Sequence, residues 1–355
     1  MTPPDNDPRT EPFDLDYAPA PQSTAVVDIA DEYGLFIDGD FVESRSGRTF
    51  ATTNPATEEH LADVAEGSKD DVDRAVAAAR NAYEGHWGAL SGRERGKYMF
   101  RIARQIQERA RQFAVLETID GGKPIRESRD VDIPLSAAWF FYYAGWADKL
   151  EYAFPGRRVA PHGVAGQIIP WNFPLMMAAW KLAPALATGN TVVLKPAETT
   201  PLTALLLADV IRDVGLPPGV VNIVTGAGAT GAALVNHTGI DKLAFTGSTE
   251  VGKRIQRATS GRRLPLTLEL GGKAAHIVFD DSAVDQAVEG IVNGIYFNQG
   301  HVGCAGSRLL VQESIAEDFV ERLEQRMARL RVGDPLDKNN CILSINAGAG
   351  GTESC

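Results

Sequence analysis

The chain has 355 residues, 44% hydrophobic and 23% charged, enough apolar material for a sizeable core in two domains or one large one. Thirty-five Lys and Arg against 46 Asp and Glu leave a net charge of −11, an acidic balance that repels phosphate backbones and argues against a nucleic-acid partner. Three cysteines, Cys304, Cys341 and Cys355, form no spaced framework, which excludes a disulfide scaffold and points to a reducing compartment, the cytoplasm. Residues 1–33 open with Pro3, Pro4, Pro8, Pro12, Pro19 and Pro21 and lack an apolar core, so a disordered leader is expected and a secretory signal is not. An alternating stretch over 35–50 with Asp38-Gly39-Asp40 predicts a β-hairpin. Ser68 is placed to cap a helix over 69–83, with Val72, Ala75, Val76 and Ala79 on one face. A longer amphipathic run over 93–119 aligns Met99, Ile102, Ile106, Ala110 and Phe113, and Gly121-Gly122 ends it. The apolar stretch 133–147 is too short to span a bilayer, which argues against a membrane protein.

From Val164 onward, short β-branched runs (164–169, 191–194, 220–224, 243–246, 276–279) alternate with helical patterns (201–214, 232–237, 250–259, 282–298). This alternation predicts an α/β fold with a doubly wound parallel sheet. Thr200 before Pro201 reads as a helix cap. Ligands of such sheets bind beyond the carboxyl ends of the strands, so the loops there hold the candidate residues.

Two glycine turns between a strand and a helix could receive a pyrophosphate: Gly226, Gly228 and Gly231, and Gly247, Ser248 and Gly252. Either alone is as readily a ligand-free turn. Lys195-Pro196-Ala197-Glu198 puts a cation and a carboxylate at a strand end, where Glu198 could accept ribose hydroxyls or the two could form a plain surface pair. Glu269 before Gly271-Gly272 is a general-base candidate or an incidental carboxylate. Asn172, flanked by Pro170-Trp171 and Phe173-Pro174, is a rigid amide suited to an oxyanion, or an ordinary turn residue. His301 and Cys304 lack further ligands at metal spacing, so no metal site is expected, while a Cys–His nucleophile pair stays open.

Together these segments resemble the NAD(P)-dependent aldehyde dehydrogenase family over residues 35–337. The blocks Pro170-Trp171-Asn172-Phe173-Pro174, Leu194-Lys195-Pro196-Ala197-Glu198, Phe245-Thr246-Gly247-Ser248-Thr249, Glu269-Leu270-Gly271-Gly272-Lys273, and Phe297-Asn298-Gln299-Gly300 followed by Ala305-Gly306-Ser307-Arg308 stand in the family's order. The resemblance implies a Rossmann-like cofactor domain (34–142 and 160–272), an oligomerisation hairpin near 143–159 that makes the protein a homo-oligomer, and the start of an α/β catalytic domain (273–337). It implies NAD rather than NADP, a small-molecule aldehyde of unspecified kind as substrate, and oxidation to the carboxylic acid through a cysteine thiolate. Asn172 then matches the oxyanion donor and Glu269 the base for water. Ile168, Ile169, Trp171, Lys195, Glu198, Gly228, Gly247, Ser248, Val251 and Leu270 match positions around the cofactor, with the pyrophosphate by Gly247 and Ser248.

Two departures stand out. With no insertion between Glu269 and Ala305, the family's nucleophile position falls on Gly303, and Cys304 matches its neighbour. Glycine has no thiol, so impaired catalysis is expected, with an NAD-binding pseudoenzyme or subunit-pairing fragment as the second reading. Beyond 337, residues 338–355 resemble a fragment of bacterial peptide chain release factor 2 without its Gly-Gly-Gln, so a foreign tail and a truncated catalytic domain are expected. A translation-related role would rest on that tail alone, and the acidic charge opposes it.

Overall fold

The computed structural model describes residues 23–157 and 159–330. Five short strands come first: β1 (Glu32–Tyr33), β2 (Leu35–Ile37), β3 (Asp40–Val42), β4 (Thr49–Thr53) and β5 (His60–Ala65). The predicted hairpin is β2–β3 alone. Its two-residue turn uses Asp38 at φ 56° and Gly39 at φ 88°, the left-handed pair that matches the strands' twist. β4 departs to a three-stranded sheet in the order β1-β5-β4. The leader expected over 1–33 is thus too long. Glu32 and Tyr33 pair in parallel with Asp63 and Val64, and Tyr33 packs on the main core, which repays ordering that end. The rest of the leader, residues 1–22, and the tail 338–355 lie outside the described residues.

A helical region follows: α1 (Lys69–Glu84), α2 (His86–Ala89), α3 (Gly92–Glu108), α4 (Ala110–Gly121), α5 (Ile125–Glu127), a π turn at Ser128–Asp132, α6 (Ile133–Trp146) and α7 (Leu150–Ala153). α1 starts at the predicted cap. Ser68 Oγ accepts the Asp71 N–H at 3.3 Å, and the Asp71 carboxylate accepts the Ser68 N–H at 2.9 Å. The run 93–119 is two helices rather than one. Arg109 (φ −99°, ψ 17°) leaves helical geometry between α3 and α4, and its guanidinium pairs with Asp213. The apolar stripe Met99, Ile102, Ile106 and Phe113 stays buried across the break, and Gly122 at φ 71° closes α4.

The segment 143–159 forms no hairpin among its described residues: Tyr143–Trp146 completes α6 and Leu150–Ala153 is α7. A strand there would need a ladder partner, whereas local bonds satisfy its backbone instead, Lys149 N to Trp146 O at 2.8 Å and Phe154 N to Leu150 O at 3.2 Å. Among the described residues no helix is long and apolar enough to cross a membrane.

Strand–helix alternation then runs β6 (Val164–Ile168), α8 (Pro174–Ala187), β7 (Thr191–Lys195), α9 (Leu202–Asp213), β8 (Val221–Ile223), α10 (Gly228–Asn236), β9 (Lys242–Gly247), α11 (Thr249–Thr259) and β10 (Leu266–Leu270). These strands form a sheet of order β10-β9-β6-β7-β8-β2-β3, parallel from β10 to β8 and mixed overall because β2 joins β8 antiparallel. Successive residues serve opposite faces. Val192 and Leu194 enter the core beneath α3, α6, α8 and α9, while Val193 enters the one beneath α1, α10 and α11. The helix Pro174–Ala187 is buried almost all round and so carries no polar face for a periodicity to reveal. Thr200 is not the cap of α9. Pro201 holds that position, and the Asp120 carboxylate from the end of α4 accepts the Leu202 N–H at 2.9 Å.

β11 (Ala274–Val278), α12 (Val284–Tyr296), β12 (Gly306–Val311) and α13 (Ala316–Met327) make a separate two-stranded unit with its own small core of Val278, Val288, Ile291 and Phe319. Ile277, Phe279 and Leu310 on it are exposed.

Candidate active site

Parallel pairing puts the ends of adjacent strands in one register: Ile168 lies opposite Lys195 and Phe245, Glu269 opposite Thr246, and Leu270 opposite Gly247. The residues singled out from sequence at four strand ends therefore share one edge of the sheet, where α/β folds place ligands. Ile169 is buried just beyond β6, its N–H donating to the Lys195 carbonyl at 3.1 Å.

At the end of β7, Lys195 is buried, and its ammonium donates to the Pro196 carbonyl at 2.9 Å and to Glu198 Oε2 at 3.3 Å. Burial pushes the Lys195 ammonium below its usual range, while the Glu198 carboxylate works against that shift. The Glu198 side chain is 44% exposed, so the lysine anchors a carboxylate that reaches solvent. α10 approaches from the side. A methyl group on Gly231 would stand 3.5 Å from Lys195 Cδ and 3.9 Å from Ile168 Cδ1, while one on Gly228 would meet nothing within 4 Å. Both glycine turns thus border the same place.

At the end of β9, Ser248 caps α11, its Oγ accepting the Val251 N–H at 3.2 Å. The positive end of that helix therefore opens directly at Gly247. Gly252, one turn in, lets Leu270 lie against the helix: a Cβ there would come within 2.4 Å of Leu270 Cδ2. Thr249 Oγ1 donates to the Gly271 carbonyl at 3.3 Å, tying the Gly271-Gly272 loop to α11. Glu269 is exposed in this loop's approach, with Lys181 of α8 beside it. Burial lowers Lys181 to about 8 although the Glu269 charge opposes the shift, and its ammonium donates to Thr246 Oγ1 at 2.6 Å. Lys181 was missed by motif reading. Its signal is a lone cation in an otherwise apolar helix.

After β6 the chain turns through Trp171 and Asn172 into α8. Asn172 Nδ2 donates to the His301 carbonyl at 2.7 Å, so the structure brings the Asn172 amide against the 297–304 loop. The His301 ring packs edge-on against Trp171, centroids 4.7 Å apart. Burial, and then the Lys123 charge, lower the imidazole below its usual range. Asn298 and Gln299 hold left-handed conformations, φ 50° and 56°, supported by the Glu127 carboxylate accepting the Asn298 N–H at 2.6 Å. The thiol of Cys304 is exposed. Gly303 has open space around it: an added Cβ meets nothing within 4 Å, and its φ is outside the left-handed range.

Behind this loop lies a buried polar cluster that motif reading also missed. Lys123, 2% exposed, pairs with Asp132, lies 3.6 Å from Glu117 Oε1 and stands 4.2 Å over the Phe173 ring. Its signal was the cation immediately after the helix-ending Gly121-Gly122.

The family model of the aldehyde dehydrogenase family matches residues 41–346, running past Asp337. The chain is 50% identical over 315 residues to aldehyde dehydrogenase family 2 member B4, mitochondrial, of Arabidopsis thaliana, covering 86% of this chain and 59% of that protein. It is 48% identical over 316 residues to retinal dehydrogenase 2 of Homo sapiens, covering 85% and 61%. Among solved structures, the NAD+ complex of aldehyde dehydrogenase from Bacillus cereus superposes with a TM-score of 0.83 at 43% identity, covering 88% of this chain and 65% of that one. The chain thus spans about 60% of the length of the curated relatives it matches. With the strand-end site, the fold and these matches in agreement, the chain belongs to the aldehyde dehydrogenase family.

Proposed function

We propose that the site is built for NAD-dependent oxidation of an aldehyde to a carboxylic acid, and that Gly303 stands where the reaction needs a nucleophilic thiol. The observation carrying this reading is the shared register of Ile168, Lys195, Gly247 and Leu270 at one sheet edge, with Asn172 and the 297–304 loop tied together beside it. Relatives in the family have been solved with NAD+ bound.

The residues fit that cofactor. Buried Lys195 holds the partly exposed Glu198 carboxylate, which is suited to ribose hydroxyls and repels a 2′-phosphate, favouring NAD over NADP. The α11 N-terminus at Gly247 and Ser248 suits a pyrophosphate. Trp171, Val251, Leu270, Ile168, Ile169 and Gly228 line the approaches. Bound there, NAD supplies the hydride acceptor.

The chain's own residues account for the rest. One hydrogen of the Asn172 amide is held by His301, leaving the second for the oxyanion that forms when a thiolate adds to the aldehyde carbon. Glu269, exposed near Lys181, takes the proton of the water that hydrolyses the resulting thioester. Position 303 has no thiol, and because attack demands close positioning of the reacting atoms, Cys304, one position on, is a poor substitute. Impaired catalysis of the parent chain follows.

Calorimetric titration with NAD tests the cofactor site. Glu198→Ala is expected to weaken binding by roughly ten- to a hundredfold, the loss of one charged hydrogen-bond partner, about 1.5–3 kcal/mol. Equal binding by parent and variant refutes the ribose anchor. For the nucleophile, the chain extended to its relatives' full length should not reduce NAD with simple aldehydes, and Gly303→Cys in that extended chain should. Turnover by the parent that disappears on Cys304→Ala would move the nucleophile to Cys304.

A further inference from the structure

The Asn172 main-chain carbonyl accepts two hydrogen bonds from residues with no place in the chemistry above: Lys123 Nζ at 3.1 Å and Asn298 Nδ2 at 2.8 Å. A carbonyl oxygen offers two lone pairs, and here both are taken. The peptide after Asn172 can then no longer rotate, and the Cα–Cβ bond that carries the side-chain amide is held with it. The amide's own rotation is settled at its far end, because turning it over would set Asn172 Oδ1 against the His301 carbonyl.

Both donors are themselves held. Lys123 spends its charge on Asp132 and Phe173 in a buried site, and Glu117, in the same cluster, accepts the Leu175 N–H at 3.2 Å in the first turn of α8. Burial raises Glu117 to about 8, against the opposing pull of the Lys123 charge beside it. Asn298 is fixed by Glu127 on its N–H, and the neighbouring Gln299 side chain donates to the Gly122 carbonyl. Three chain segments, 117–132, 172–175 and 298–301, are thereby joined in one buried network centred on Asn172.

We propose that Lys123 and Asn298 are positioning residues for aldehyde oxidation: by filling both lone pairs of the Asn172 carbonyl they fix where its side-chain amide points and hold the 298–303 loop against it. This rests on the reading of the site given above. The network is built from residues outside the cofactor edge, so it governs the chemical step rather than NAD binding.

The test uses the full chain carrying Gly303→Cys, with Asn298→Gly or Lys123→Met added. Glycine tolerates the left-handed conformation at 298 and removes the buried side chain with its bonds to the Asn172 and His301 carbonyls, whereas Lys123→Met leaves buried acid behind and risks unfolding. In Asn298→Gly, kcat for aldehyde oxidation is expected to fall roughly tenfold or more, as small misplacements of a reacting group do, while the Kd for NAD and the aldehyde KM stay within about twofold. An unchanged kcat overturns the proposal, as does a loss confined to KM or to NAD binding. If Gly303→Cys alone shows no turnover, amide hydrogen exchange decides this proposal. Exchange at 298–301 accelerated roughly tenfold by Asn298→Gly, with the rest of the chain unaltered, supports the clamp. Unchanged exchange there overturns it.

Discussion

Asp120 offers a direct measurement of how the helices around the sheet are joined. Its carboxylate, fully buried at the end of α4, accepts the Thr52 hydroxyl at 3.0 Å and the Leu202 N–H at 2.9 Å, linking β4, α4 and the start of α9. Burial raises it from 3.8 to about 7, since those hydrogen bonds only partly offset the loss of water. Between these two values the unfolded chain has released the proton and the folded chain has kept it. Stability therefore falls as pH rises through this window, by about 1.4 kcal/mol per pH unit, and levels off once pH passes about 7. From pH 5 to 6.5 the group contributes a decline of about 2 kcal/mol. Asp120→Asn should abolish this contribution at little structural cost. The amide oxygen can take the Leu202 N–H that Asp120 Oδ2 accepts, and the amide nitrogen can donate to Thr52 Oγ1 in place of Oδ1. Glu117 (about 8) and Glu127 (about 7) titrate in the same sense, so the parent's whole curve is steeper, and the difference between parent and variant isolates Asp120. Urea unfolding at half-unit steps from pH 5 to 8 measures it. Parallel pH profiles for parent and Asp120→Asn would refute the assignment.

Two further outcomes are expected. Ser68→Ala should lower unfolding stability by about 1 kcal/mol in the same assay, because the helix cap and one partner of the buried Asp71 carboxylate are lost together. Gly252→Ala should weaken NAD binding in calorimetry while leaving unfolding nearly unchanged, since the added methyl displaces the half-exposed Leu270 from α11 rather than disturbing the core.

Much of the site was legible because its residues sit next to strand ends, and strand ends were visible as short β-branched runs. Lys195, Glu198, Gly247, Ser248 and Glu269 could each be located that way, and the β6–β7 and β9–β10 registers bring them to one edge. Lys123 and Asn298 were not legible as a pair, since their meeting at the Asn172 carbonyl depends on three segments distant in the chain. The hairpin expected near 143–159 failed for a related reason: a strand is defined by its neighbour, and the segment's helical bonds are local. The Arg109 break was hidden because Ile106 and Phe113 keep one apolar stripe across both helices.

The β2–β8 pairing has to wait for synthesis. Phe36 finds its partner Ile223 only 187 residues later in the chain, and at roughly 5–20 residues per second the ribosome takes about 10–40 s to make that stretch. Throughout that interval Leu35, Phe36 and Ile37, all buried in the finished fold, have no sheet to join. The nascent chain thus presents an apolar hairpin for far longer than a hairpin takes to form, so Leu35–Ile37 is the place where a chaperone would engage it and where a charged substitution would act on folding yield before it acted on the folded protein.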